Sequence, residues 1–70
     1  MSITVGDTVK WPWGNGTAKG TVRKRYTQKV TRKIKGSKIT RDGSDDNPAL
    51  VIKQDDGDEV LKLASEVKSA

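Results

Sequence analysis

The stretch "LVIKQDDGDEVLKL" (residues 50–63) decides the fold. Two apolar runs meet across Asp-Asp-Gly-Asp, and each run is too short for a stable helix but long enough for a strand. Asp56-Gly57 suits a two-residue type I′ turn, because Gly and Asp tolerate the left-handed backbone that such a turn needs. With that turn, Ile52 opposes Leu61 and Leu50 opposes Leu63 on an apolar inner face. Val51 with Lys62 and Lys53 with Val60 then form the outer face. A second hairpin is written in "VTRKIKGSKITRD" (residues 30–42). Gly36-Ser37 suits a type II′ turn, which places Lys35 opposite Lys38, Ile34 opposite Ile39 and Arg32 opposite Arg41.

Upstream lies "VKWPWGNGTAKGTVRKRY" (residues 9–26). Val9, Trp11 and Trp13 share one face of a strand. Pro12 cannot donate a ladder hydrogen bond, so this strand end belongs at an edge or a bulge. After Gly14-Asn15-Gly16 the alternation resumes, with Ala18, Gly20, Val22 and Tyr26 on one parity. Ala18 and Gly20 are small where an inward side chain is expected, which signals a close backbone or a sharp bend. Downstream, "LASEVKSA" (residues 63–70) places Leu63 and Val67 four apart, consistent with one short helical turn. The spacing therefore predicts an all-β domain over residues 1–70, a small five-stranded antiparallel SH3-like barrel closed by that turn. Val22, Ile34, Ile39, Leu50, Ile52, Leu61 and Leu63 form its expected core.

Composition narrows the chemistry. The 70 residues contain no Cys and no His, which removes disulfides, thiolate and imidazole catalysis and Cys/His zinc sites. The longest apolar run, "ALVI" (residues 49–52), is far short of a membrane span or a signal segment. A cytoplasmic protein with no membrane partner is expected. The net charge of +5 is unevenly placed. Residues 1–41 carry 11 Lys/Arg and one acid, Asp7, whereas residues 42–70 carry 3 Lys and 8 acids. Either the folded surface is dipolar, or the two halves interleave and neutralise each other.

The chain resembles the hypervirulence-associated protein Tudor domain family. The resemblance rests on "VGDTVKWPWGNGTAKGTV" (residues 5–22) and "VTRKIKGSKITRDGSDDNPALVIKQDDGDEVLKLASEV" (residues 30–67). Within the latter, "SDDNPALVI" is the most distinctive piece. The family often has Tyr after Asn-Pro-Ala; here the position is Leu50. The resemblance implies a Tudor-like fold and says little about activity.

Catalysis is not expected. Asp55, Asp56 and Asp58 fall in a turn, where Asp is favoured because it hydrogen-bonds its own backbone. "DGSDDN" lacks the spacing and closing Glu of a calcium loop. No cofactor, metal or small-molecule substrate is expected. What remains is a monomeric binding module. The first candidate partner is DNA or RNA, gripped by Arg23, Lys24, Arg25, Arg32, Lys33, Lys35 and Lys38, with an exposed Trp13 or Tyr26 stacking on bases. The alternative is a protein partner, including a methylated side chain held in an aromatic cage of Trp11, Trp13 and Tyr26 as the Tudor resemblance implies. The bland readings are that Lys-rich strands merely block edge-to-edge aggregation and that the aromatics only fill the core. Trp11 is expected to pack inward, and Trp13, which enters the turn, to keep a face exposed.

Overall fold

The computed structural model describes residues 3–70; Met1 and Ser2 of the expected 1–70 domain lie outside the described residues. Apart from one 3-10 turn over Ala64–Glu66, all regular structure is strand. The strands are β1 (Thr8–Trp13), β2 (Gly16–Tyr26), β3 (Lys29–Ile34), β4 (Ser37–Asp42), β5 (Ala49–Gln54), β6 (Glu59–Leu63) and β7 (Lys68–Ser69). All pairings are antiparallel. Five strands form one sheet in the order β6-β5-β2-β1-β7, and β3 pairs only with β4 in a separate ribbon. The small barrel expected from the sequence has five antiparallel strands; the described residues instead have seven, five in one sheet that is not closed and two in the ribbon. Among the described residues the sheet ends at β6 and β7, and the ribbon lies over it instead of joining it.

The ribbon docks through a face that its alternation defines. In β3 and β4, Val30, Arg32, Ile34, Ile39 and Arg41 are half-buried, while Lys29, Thr31, Lys33, Lys38 and Thr40 are exposed. The half-buried aliphatics pack on Ala49, Val51 and Leu61, together with Tyr26 and Leu63. That ribbon-side group is the second cluster; on the other side of the sheet, Val9, Trp11, Val22, Leu50, Ile52 and Val67 form the first. β5 runs between these clusters, so all four residues of its "ALVI" segment are buried. Full burial of such side chains contributes about 1.5–3 kcal/mol each. Of the expected core, Val22, Leu50, Ile52 and Leu61 are buried, whereas Ile34, Ile39 and Leu63 are only half-buried under the ribbon.

Both hairpin turns lie where expected, but neither has the expected type. The hairpin loop closed by Gln54 and Asp58 has three residues, Asp55, Asp56 and Gly57. The Gly57 N–H donates to Gln54 O at 2.9 Å, the Gln54 N–H donates to Asp58 O at 2.7 Å, and Gly57 has φ of +91°. Asp56 Oδ1 also accepts the Asp58 N–H at 2.9 Å. This is the turn-plus-bulge hairpin, in which a lone Gly takes the left-handed position. The extra loop residue moves the register by one, so Val51 opposes Leu61 and Ile52 opposes Val60, not the expected partners. A one-residue shift exchanges the faces of β6 relative to β5. It is tolerated because β5 is covered on both sides.

In the ribbon, the turn is Lys35-Gly36, with φ of +51° and +81°, a type I′ pattern instead of the expected Gly36-Ser37 turn. Moving a two-residue turn back by one slides the pairing by two, so the faces are kept. Arg32 now opposes Ile39, and Lys35 no longer opposes Lys38. The two expected like-charge pairs, Arg32/Arg41 and Lys35/Lys38, are replaced by a single one, Lys33/Lys38. Lys29 gains Asp42 as its opposite, and the Thr31 and Thr40 hydroxyls hydrogen-bond at 2.9 Å. These exchanges, each worth a few tenths to about 1 kcal/mol, offset the cost of a Lys in the left-handed region.

Two details of the first hairpin match the sequence. Gly14 has φ of +55° at the first turn position, and Trp13 pairs with Gly16. The closing pair of such a hairpin is hydrogen-bonded and the next is not, so the Pro12 nitrogen points to the edge beyond the last β1–β7 pair, Lys10↔Lys68. At Gly20, a Cβ would sit 2.5 Å from Ile52 Cγ2 and 2.7 Å from Lys53 O, which explains the missing side chain. Beyond it, the β2–β5 register shifts between Val22 and Lys24 and leaves Arg23 in a bulge.

Candidate functional site

The family's most distinctive stretch has a structural role. Asn47 Oδ1 accepts the Ser65 N–H at 2.8 Å, and Pro48 O accepts the Ala64 N–H at 2.9 Å. Together they hold the 3-10 turn against the start of β5. Among the described residues no group of acids is arranged to hold a metal ion, and no helix is long and apolar enough to cross a membrane.

The three aromatics do not converge. Trp11 is 2% exposed inside the first cluster. Tyr26, at the end of β2, is half-buried against the second cluster. Trp13 is 70% exposed and lines an open groove of about 650 Å3. Ile34 and Lys35 at the ribbon tip, Lys19 on β2, and Asp55, Asp56, Asp58 and Glu59 from the β5–β6 hairpin complete its walls. A three-ring cage is therefore not formed. The acidic wall is not evident in the sequence, where those residues read only as a turn. The signal is indirect. Gly20 of the long β2 pairs with Gln54, the last residue of β5, so the following loop lands beside Lys19 and the β1–β2 turn.

The candidate basic residues divide by face. Those that point toward the sheet, or sit at the turn, meet acids from the second half of the chain. Arg32 lies 3.7 Å from Glu59, Lys35 lies 2.7 Å from Asp58 and Arg41 lies 2.9 Å from Glu66. The Asp58 carboxylate, first by hydrogen bond and then by charge, raises the Lys35 pKa above its ordinary value. Glu66 is opposed by burial, but the Leu63 N–H and Arg41 outweigh that, and its carboxyl falls below its usual value. The two charge halves of the sequence thus interleave on this side.

The other candidates are free of such partners. Arg23, Lys24 and Arg25 are exposed on the last part of β2, and Lys33 and Lys38 stand directly opposite each other on the outward face of the ribbon. Among the described residues none of these five has a carboxylate within ion-pair distance. Lys33 also borders a shallow depression of about 270 Å3 shared with Lys53, Asp58 and Glu59. Like charges directly opposite destabilise a ladder slightly, so Lys33 and Lys38 are not placed there by strand pairing.

An all-β ribbon-on-sheet domain with unpaired exposed cations on β2 and on the outward side of the ribbon, and one solvent-facing indole, offers a binding-type surface. The chain belongs to the family described as "Hypervirulence associated proteins TUDOR domain", whose model matches residues 6–67. A Tudor-type family points to a binding module for a protein or nucleic-acid partner. No curated protein and no solved structure shows a significant match to the chain.

Proposed function

We propose that this chain is a non-enzymatic module that binds nucleic acid electrostatically, as a monomeric, SH3-like domain in the cytoplasm. One observation carries the proposal. The exposed cations Arg23, Lys24, Arg25, Lys33 and Lys38 have no carboxylate partner among the described residues, while Arg32, Lys35 and Arg41 are each paired with an acid of the chain's second half. Unpaired Lys and Arg release the counterions of a polyanion when they meet its phosphates, which makes such binding favourable and salt-dependent. The Tudor-type family is compatible with a protein partner as well, and the open Trp13 groove favours that second reading.

The experiment is fluorescence anisotropy with labelled oligonucleotides across a salt series. Lys33→Gln with Lys38→Gln should weaken binding and lower the log–log salt slope by about 0.7–0.9 for each phosphate no longer neutralised. Arg32→Gln, which removes a cation already paired with Glu59, should weaken it less. Equal loss in both variants, or no binding by the parent at low salt, would contradict the proposal.

A further inference from the structure

We infer that the nucleic acid is held by its phosphates alone, with no base stacked on the protein, and that double-stranded nucleic acid is therefore the preferred class. This rests on the nucleic-acid reading above and makes it specific.

Base stacking needs an exposed ring beside the cations that hold the strand. Among the described residues Trp13 is the one large aromatic with an open face, since Trp11 is in the core and Tyr26 lies against the second cluster. Trp13 borders the ribbon tip, and its groove is lined by four acids, Asp55, Asp56, Asp58 and Glu59, against two cations, Lys19 and Lys35. The nearby Lys35 is engaged by Asp58 at 2.7 Å. A strand that laid a base on Trp13 would carry its phosphates past these carboxylates. One carboxylate about 4 Å from a phosphate lowers affinity by roughly fivefold even in water. A stacked base raises it by about 5- to 150-fold. Asp58 and Glu59 are already paired with Lys35 and Arg32, so Asp55 and Asp56 are the repulsions that count, and the two together cancel much of that gain.

The unpaired outward face is different. Lys33 and Lys38 stand side by side, Thr31 and Thr40 bond each other next to them on the same face, and the ribbon's outward positions hold no aromatic side chain. Such a surface reads charge density and not bases. Duplex nucleic acid carries one charge per roughly 1.7 Å of axis, and each neutralised phosphate contributes a salt slope of about 0.9 on a duplex against about 0.7 on a single strand. A binder without stacking therefore gains more from the duplex.

The test compares a labelled duplex with each of its separated strands, at equal phosphate concentration and low salt, using the full chain and its Trp13→Ala variant. The duplex should bind several-fold tighter, Trp13→Ala should leave both affinities within about twofold, and the indole fluorescence should not be quenched by the single strands. Tighter single-strand binding that falls fivefold or more in Trp13→Ala would overturn the inference and leave the nucleic-acid reading standing. Failure of both forms to bind the parent would overturn that reading, and the inference with it.

Discussion

Arg41 and Glu66, 25 residues apart, are joined through a single oxygen: Arg41 Nε donates to Glu66 Oε1 at 2.9 Å, and the Leu63 N–H donates to the same atom at 2.8 Å. The second bond is the reach-back of a Glu at the third position of a short helical turn. The first ties that turn to β4 of the ribbon. One carboxylate therefore couples the chain's C-terminal turn to the basic ribbon.

The coupling has a pH consequence. Because the folded-state pKa of Glu66 is lowered from 4.5, its contribution is present above that value and is lost as pH falls through the lower, folded one. In thermal melts between about pH 6 and pH 3, the parent should lose more stability than Glu66→Gln, which cannot titrate at this site. Parallel loss in both proteins would show that the shared oxygen contributes nothing.

Ile52→Ala should cost about 2–5 kcal/mol, because Ile52 is fully buried among Val9, Trp11, Val22, Leu50 and Val67. Val51, on the opposite face of the same strand, should also be costly to truncate, about 2 kcal/mol for Val51→Ala. Denaturant melts measure both. A small domain of this kind has only about 3–5 kcal/mol to lose, so Ile52→Ala should be largely unfolded. A neutral Val51→Ala would show that the ribbon does not cover that face of β5.

Much of this is legible in the sequence, and the misses have identifiable causes. Glycines mark both hairpin turns, yet turn type depends on which residue takes the left-handed position. At the ribbon, Lys35 takes it ahead of Gly36, in a register that stacks one pair of like charges, Lys33/Lys38, where the alternative stacks two. At the other hairpin, the Asp56 side chain captures the Asp58 N–H and lengthens the loop. "ALVI", a continuous apolar run between turn signals, carries the pattern of a strand buried on both faces, and the expected placing of Val51 on an outer face beside Lys62 overlooked it. The division between Trp11 and Trp13 is readable, because Trp13 adjoins Gly14. The ion pairs of Arg32, Lys35 and Arg41 are not, since they depend on where the ribbon lands on the sheet.

Gly20→Ala should destabilise by about 1–3 kcal/mol, since the new methyl meets the Ile52 side chain and the Lys53 backbone together. Urea unfolding gives the number. An unchanged midpoint would mean that β2 and β5 separate at that point more readily than their register indicates.

Trp13→Ala should leave folding stability within about 0.5 kcal/mol, the range of exposed substitutions away from structural features. A thermal melt of the variant checks it. A loss comparable to that expected for Ile52→Ala would place the indole in the core after all.

The most direct measurement is an amide chemical-shift titration of the full chain with a short duplex at low salt. The signals of Arg23, Lys24, Arg25, Lys33 and Lys38 should move together and return as salt is added, while Trp13 and residues 55–59 stay in place. Shifts confined to Trp13 and residues 55–59, or no shifts at all, would contradict the claim that the unpaired basic face is the binding surface.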